Sequence, residues 1–245
     1  MQMKKTGYIL YQPYKWLVYV PLMVSSTIIC SILAAVTAIL FSPRMGSFFG
    51  KVWAKSSALF TPMFVKVSGR ENIKRGESYV IVANHQSQYD IFLLCGWVGI
   101  DFKWIMKKEL RKAPFIGYAS AKVGHIFLDR SSPRAAIESI EASKKQLVNG
   151  TSVVIFPEGT RSRDGKMRKF KKGAFKIALQ LELPILPVTI VGTNKIMGSG
   201  FINVMPGSTM LIIHKPIDVN EFMDSPEELI KVTRDIIKAS LPVGG

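Results

Sequence analysis

Acidic residues are scarce in this chain. Seventeen Asp and Glu stand against 33 Lys and Arg, a formal net charge of +16 over 245 residues. Such an imbalance excludes a surface built for cations and points to anionic partners: nucleic acid, anionic lipid or phosphorylated substrates. Cysteine is scarcer still. Cys30 and Cys95 are the only two, without metal-ligand spacing and too few for a disulfide scaffold. Both read as inert apolar residues. No internal repeat and no low-complexity tract occurs, so solenoids and biased-composition segments are excluded.

Charge is absent altogether from Trp16 to Phe41, "WLVYVPLMVSSTIICSILAAVTAILF". Crossing a bilayer takes ~20 apolar residues, so this run is long enough. It exceeds the ~7–15 residue apolar core of a cleavable signal peptide. Lys4, Lys5 and Lys15 precede it and Arg44, Lys51 and Lys55 follow, so the positive-inside rule gives no orientation. Pro21 and Ser25-Ser26 interrupt the run. Either one tilted span or two helices lying in one leaflet fits, with a buried hairpin of a soluble protein as the alternative. Aromatics crowd both ends (Tyr8, Tyr11, Tyr14, Trp16 and Tyr19; Phe48, Phe49 and Trp53), as suits a membrane interface. The uncharged run turns the basic surface toward lipid rather than nucleic acid.

After Lys55 short β-rich runs alternate with amphipathic stretches. Expected strands are Phe64–Val67, Tyr79–Ala83, Phe102–Met106, His125–Leu128, Ser152–Phe156, Ile185–Val191 and Met210–Ile213. Expected helices are Pro133–Val148 (capped by Ser132), Ala174–Leu181 and Pro226–Ala239 (capped by Ser225). The pattern predicts an α/β fold: a mostly parallel mixed sheet of about seven strands flanked by helices, with an N-terminal apolar helical membrane-anchoring segment. Residues 1–60 form that segment and 61–245 the α/β domain. In such sheets ligands sit beyond the carboxyl ends of strands.

Four stretches carry chemistry. "NHQSQYD", 84–90, follows the strand "YVIVA". Residues five apart on a helix are rotated by roughly 140°, so His85 and Asp90 cannot share one. A helix beginning after Ser87, with Ser87 and Asp90 as a capping box, leaves His85 in the loop within reach of Asp90. A carboxylate on one ring nitrogen makes the other a base for a hydroxyl. Read alone, the pair also fits a helix cap beside a satisfied loop histidine. "FPEGTRS", 156–162, ends a strand in a tight turn whose Thr160 and Arg161 suit an anion, with Glu158 orienting Arg161 or a substrate hydroxyl. "GHIFLDR", 124–130, delivers Arg130 to the carboxyl end of its strand, beside Asp129; His125 lies at the opposite end and reads as structural. "LPILPVTIVG", 183–192, is a proline-framed strand, either pocket wall or plain core.

In this order the four stretches resemble the glycerolipid acyltransferase family, especially its 1-acyl-glycerol-3-phosphate branch, over about Val65 to His214. The N-H-x-x-x-x-D motif is met by Asn84, His85 and Asp90, and F-P-E-G-T-R-S letter for letter by Phe156–Ser162. "GHIFLDR" and "LPILPV" are similar to the remaining two motifs. The resemblance implies acyl transfer from a thioester, acyl-CoA or acyl-carrier protein, to the hydroxyl of lysophosphatidic acid, giving phosphatidic acid. The alternative acceptor is another lysophospholipid or an aminoacyl lipid. His85 is the expected base and Asp90 its partner. Arg130, Glu158, Gly159, Thr160 and Arg161 are expected at the phosphate, with Lys107. Backbone N–H groups near Ser87 are candidates for the oxyanion.

No Gly-x-Ser-x-Gly elbow occurs and neither cysteine lies near the motifs, which argues against a covalent acyl-enzyme. No metal and no bound cofactor is required. Lys103–Lys112 holds five basic residues in ten and Arg161–Lys176 eight in sixteen. Those not at the phosphate are expected to face anionic lipid. The expected location is a membrane surface, with the catalytic domain on the cytoplasmic side of the cell membrane.

Overall fold

The computed structural model describes residues 5–129, 150–162, 165–198 and 203–242, with positions 138, 139, 141, 142, 144 and 147 between them. Arg130 and most of the helix expected over Pro133–Val148 lie outside the described residues.

The apolar N-terminus does not break where its sequence suggests. Helix α1 (Lys5–Tyr14) runs through a π-helical turn (Lys15–Tyr19) into α2 (Val20–Leu40). Pro21 has no N–H to donate, and its ring would crowd the carbonyl four residues back. The wider turn, in which the Val20 N–H reaches Lys15 O, precedes that proline and lets the helix continue. The hydroxyls of Ser25 and Ser26 bond back to the carbonyls of Pro21 and Met23, so the serine pair does not end the helix either. Of the two arrangements left open for 16–41, one continuous helix is therefore the one present. The chain reverses only at Phe41-Ser42. Ser42 caps α3 (Pro43–Phe60) by accepting from Met45 N, and Pro43 takes the first turn. Trp53 Nε1 donates to Thr27 Oγ1 at 2.9 Å, tying α3 back along α2. The stretch Ile9–Leu40 is long and apolar enough to cross a membrane, with mean hydropathy 2.2 over an 18-residue window.

The sheet follows from Met63 on. Its strands are β1 (Met63–Ser68), β2 (Val80–Ala83), β3 (Asp101–Lys107), β4 (Ile126–Leu128), β5 (Thr151–Ile155), β6 (Ile185–Val191) and β7 (Gly207–Ile213). They lie in the order β1-β7-β6-β2-β5-β3-β4. Every pairing is parallel except β6 with β7, so the mixed, mostly parallel sheet expected from the alternation is present. β2 is central and apolar at every position because both its faces are covered. Tyr79, Ile81 and Ala83 join the cluster under α3 and α4 (Tyr89–Trp97), while Val80 and Val82 pack with α6 (Lys172–Leu181) and α8 (Pro226–Ala239). The short helices α5 (Ile116–Lys122) and α7 (Thr193–Ile196) follow β3 and β6.

Three hydroxyls join hairpin to sheet. Tyr89 OH meets Tyr19 OH at 2.8 Å and also bonds Thr61 Oγ1. All three residues are buried, so helix α4, which carries Asp90, is docked against the first helix by a closed polar contact.

Candidate active site

β2, β5 and β6 end side by side, and the loops beyond their carboxyl ends build the site. His85 sits in the loop after β2, and Asp90 is the second residue of α4. The Asp90 carboxylate is fully buried and accepts four bonds. Its Oδ2 takes His85 Nδ1 at 2.7 Å, Gln86 N at 2.7 Å and Ser87 N at 2.9 Å. Its Oδ1 takes the hydroxyl of Thr193, delivered by the loop after β6. The Ser87–Asp90 bond is the reciprocal half of the expected capping box. Ser87 Oγ accepts from Tyr89 N and donates to Met197 O at 2.7 Å.

These bonds fix the imidazole. With Nδ1 donating to Asp90, the lone pair lies on Nε2, where it can accept a proton. The ring of Phe156 stacks on His85 at 3.9 Å between centroids and 11° between planes, and Trp104 stacks behind Phe156 at 6.0 Å. Asp90 thus holds the ring within its plane and Phe156 holds it from one face. His85 keeps 15% of its side chain exposed, an opening from one side.

The turn after β5 grips the backbone of the same histidine. Glu158 Oε1 accepts from His85 N at 2.7 Å, and Ser162 N donates to His85 O at 2.8 Å. Glu158 Oε2 accepts from Arg168 N at 2.9 Å. Burial raises the Glu158 pKa, and the two N–H donors work against that rise. The carboxylate is only 2% exposed and committed to backbone. The expected role of Glu158 at the phosphate is therefore corrected: it joins two loops. Gly159 adopts φ +74°, and a Cβ there would stand 2.8 Å from Lys171 Nζ. Glycine suits the positive φ of this turn, and the lysine end would have to move aside for any side chain there. Thr160 Oγ1 accepts from Arg168 Nη1 at 3.3 Å, and Arg161 is half-buried on the same turn.

Three of the backbone N–H groups expected as oxyanion donors near Ser87 are already bonded. The N–H groups of Gln86 and Ser87 are spent on Asp90, and that of His85 on Glu158. Lys107 lies exposed at the carboxyl end of β3, and its neighbour Lys108 pairs with Asp129 at 2.8 Å. His125 stands away from the site, accepting from Trp104 N; burial, with Lys103 nearby, pushes its pKa down to about 3. Burial pushes the Cys95 thiol up to about 12, so it is no thiolate nucleophile.

The structure brings His85, Asp90 and Glu158 into one bonded set, with Gly159, Thr160 and Arg161 on the turn that grips it. Sequence reasoning missed the Phe156 stack, the Thr193 bond, Arg168, and the task of Asn84. The Asn84 amide donates to Ile190 O at 2.9 Å and accepts from Ile190 N at 2.7 Å, continuing the β2–β6 ladder one step past the strand. A hydroxyl immediately after Gly192, at the carboxyl end of β6, was the available sign for Thr193.

A family model described as Acyltransferase matches residues 64–191. The chain is 38% identical over 184 residues to a chloroplastic 1-acyl-sn-glycerol-3-phosphate acyltransferase of Arabidopsis thaliana, covering 73% of this chain and 51% of that one. It is 32% identical over 199 residues to a 1-acyl-sn-glycerol-3-phosphate acyltransferase of Borreliella burgdorferi, covering 81% and 80%. The chain spans about half the length of the chloroplast relatives it matches. A solved structure, the 1-acyl-sn-glycerophosphate (LPA) acyltransferase PlsC from Thermotoga maritima, superposes with TM-score 0.79 at 32% identity, covering 97% of this chain and 95% of that chain. With a bonded His85–Asp90 pair at the strand ends and the F-P-E-G-T-R-S turn clasping it, the chain belongs to the acyltransferase family.

Proposed function

We propose that the chain transfers a fatty acyl group from a thioester to the free hydroxyl of 1-acyl-glycerol-3-phosphate, forming phosphatidic acid. The observation that carries this reading is the His85–Asp90 bond of 2.7 Å inside a loop clasped at both backbone ends by the residues of F-P-E-G-T-R-S. His85 Nε2 takes the hydroxyl proton as the oxygen attacks the thioester carbonyl. Asp90 stabilises the imidazolium so formed. Collapse of the tetrahedral intermediate breaks the carbon–sulfur bond, and His85 returns the proton to the departing thiol. General acid–base catalysis of this kind contributes about 10²–10⁴-fold.

The acceptor's phosphate is assigned to Arg161 and Lys107 on this edge and, from the sequence motif alone, to Arg130, with Gly159 and Thr160 shaping the turn. The donor is acyl-CoA or acyl-carrier protein, both anionic and suited to a basic surface. A lipid acceptor and product, together with the apolar helix of 32 residues, support work at a membrane; the cytoplasmic side is our assignment for the α/β domain.

The test is an assay in liposomes with lysophosphatidic acid and a long-chain acyl thioester. Wild type forms phosphatidic acid, His85→Ala does not, and Arg161→Ala raises the acceptor KM. Equal product from His85→Ala would sink the base assignment. Activity only on a different lysolipid would keep the chemistry and move the acceptor.

A further inference from the structure

We propose that residues 108–118 are a second membrane-contact element: a rigid apolar knob with a basic collar, seated in the interface of an anionic bilayer beside the N-terminal hairpin. The inference rests on the membrane reading above and adds a separate point of attachment to it.

The first observation is exposure. Leu110, Phe115, Ile116 and Tyr118 are 44, 49, 39 and 57% exposed. Single exposed apolar residues are ordinary, but four large ones within nine positions are a patch that wants a partner. The second is rigidity. Phe115 has φ +58°, a left-handed conformation rarely held by a side chain this large. Ile116 N bonds back to Pro114 O at 2.6 Å. Gly117 lies so close to the preceding turn that a Cβ would stand 2.5 Å from Arg111 O. The backbone therefore fixes Phe115 in an exposed position instead of leaving it free to fold inward.

Charge names the partner. Arg111, Lys112 and Lys122 lie within or next to this stretch against Glu109, while Lys108 is paired with Asp129 at 2.8 Å. Arg111 lies over the Phe127 ring at 5.9 Å and Lys122 over Tyr118 at 5.4 Å. Apolar tips with long cationic side chains beside them match a bilayer interface, where rings enter and ammonium groups stay with anionic headgroups. The patch also continues an apolar face. Helix α5 packs on α2 through Ala119 and Val123 against Ala34 and Ala35. On α2 those two alanines are bracketed by Leu33 and Val36, 40 and 45% exposed.

The placement gives the knob its use. It begins where β3 ends, on the edge of the sheet that carries His85. The hairpin is packed on the α/β domain, so an apolar helix alone leaves the whole body free to rotate about the helix axis in the membrane. A second contact on the catalytic edge fixes the tilt and presents His85 to acceptors in the leaflet.

The experiment places an NBD label on Phe115→Cys, in full-length protein with Cys30→Ser and Cys95→Ala, and adds vesicles of equal parts phosphatidylcholine and phosphatidylglycerol. The emission is expected to shift to the blue, rise severalfold and be quenched by doxyl lipids. The pair Arg111→Gln and Lys112→Gln weakens vesicle binding roughly tenfold or more. A label that stays in water while the protein sediments with the vesicles overturns the proposal, as does a protein that ignores the vesicles. An equal response on phosphatidylcholine alone overturns the assignment to anionic lipid. None of these readouts needs turnover, so loss of the acyl-transfer reading would show separately, in the assay above. Circular dichroism establishes that each variant is folded.

Discussion

Around His85 the polar groups are buried and bonded: Asp90, Glu158, Ser87 and Asn84 are each at most 2% exposed, and each has its partners. Along α2 the opposite holds, with Ile29 at 55% and Ile39 at 55% turned outward. One region holds a geometry through bonded buried groups, with Gln86 Oε1 and Ser162 Oγ left without a partner among the described residues, and each bond there is costly to lose. The other presents apolar surface whose partner is not protein, so single side chains there contribute little to the fold. The contrast predicts where substitutions act on activity, where on stability, and where on neither.

The largest effect belongs to His85 and Asp90. His85→Ala should cut turnover about 10³-fold while leaving the fold intact, since the ring is partly exposed and only its Nδ1 is bonded. Asp90→Asn should cost as much in rate and also lower the melting temperature. An amide at this position cannot serve every donor now meeting the carboxylate, and it turns N–H toward N–H. Turnover assays paired with thermal melts separate the two. If Asp90→Asn melts like wild type, the loop is not held by that carboxylate.

Next comes Glu158→Gln, which touches no reacting atom under the corrected role. One oxygen becomes an NH₂ facing a backbone N–H, at a cost of about 1–3 kcal/mol. For a chain this size that is roughly 2–10 °C in melting temperature. Because the lost bond sets the position of His85, kcat should fall about tenfold with acceptor KM nearly unchanged. A rise in KM alone would return Glu158 to the phosphate.

The sheet was legible before the structure because β strands here are short apolar runs between turns: all seven were placed, with ends coinciding or shifted by up to three residues. The last helix was legible through Ser225, Pro226 and two early glutamates. Helix α3 was not, because Gly46, Gly50, three serines and scattered lysines blur its apolar face. The base and its carboxylate lie within one motif and could be read locally. Thr193 and Ile190 lie over 100 positions from their partners Asp90 and Asn84, and only the strand order brings them there. Glu158 was misread because a carboxylate in a polar turn looks like a ligand-facing group until its donors are seen.

A smaller effect tests a buried group with no part in the chemistry. His125 is held neutral, with its pKa moved from 6.5 to about 3. The unfolded chain binds a proton below pH 6.5 and the folded one does not. Its contribution is therefore fully present above pH 6.5 and drains away between there and about pH 3, at roughly 1 kcal/mol per pH unit. Glu158, with its pKa raised by burial, has the opposite sign: its contribution is present below 4.5 and lost as pH rises through the folded value. Melting temperature should thus fall from pH 6 to 5, and His125→Asn, which keeps an acceptor for Trp104 N, should flatten that fall. An unchanged slope would mean that another group governs it.

The smallest effect on the fold, and the sharpest contrast with His85, is expected at Ile29. The side chain is 55% exposed on α2, so Ile29→Ser removes little protein contact and should leave the detergent-solubilised protein within about 0.5 kcal/mol of wild type. In lipid the same change costs more, because a hydroxyl replaces an apolar side chain where no water is available to bond it. Vesicle partitioning should weaken while the melt in detergent does not move. If instead the melt drops and partitioning holds, Ile29 packs against protein in the working state, and α2 belongs with the region around His85 rather than opposite it.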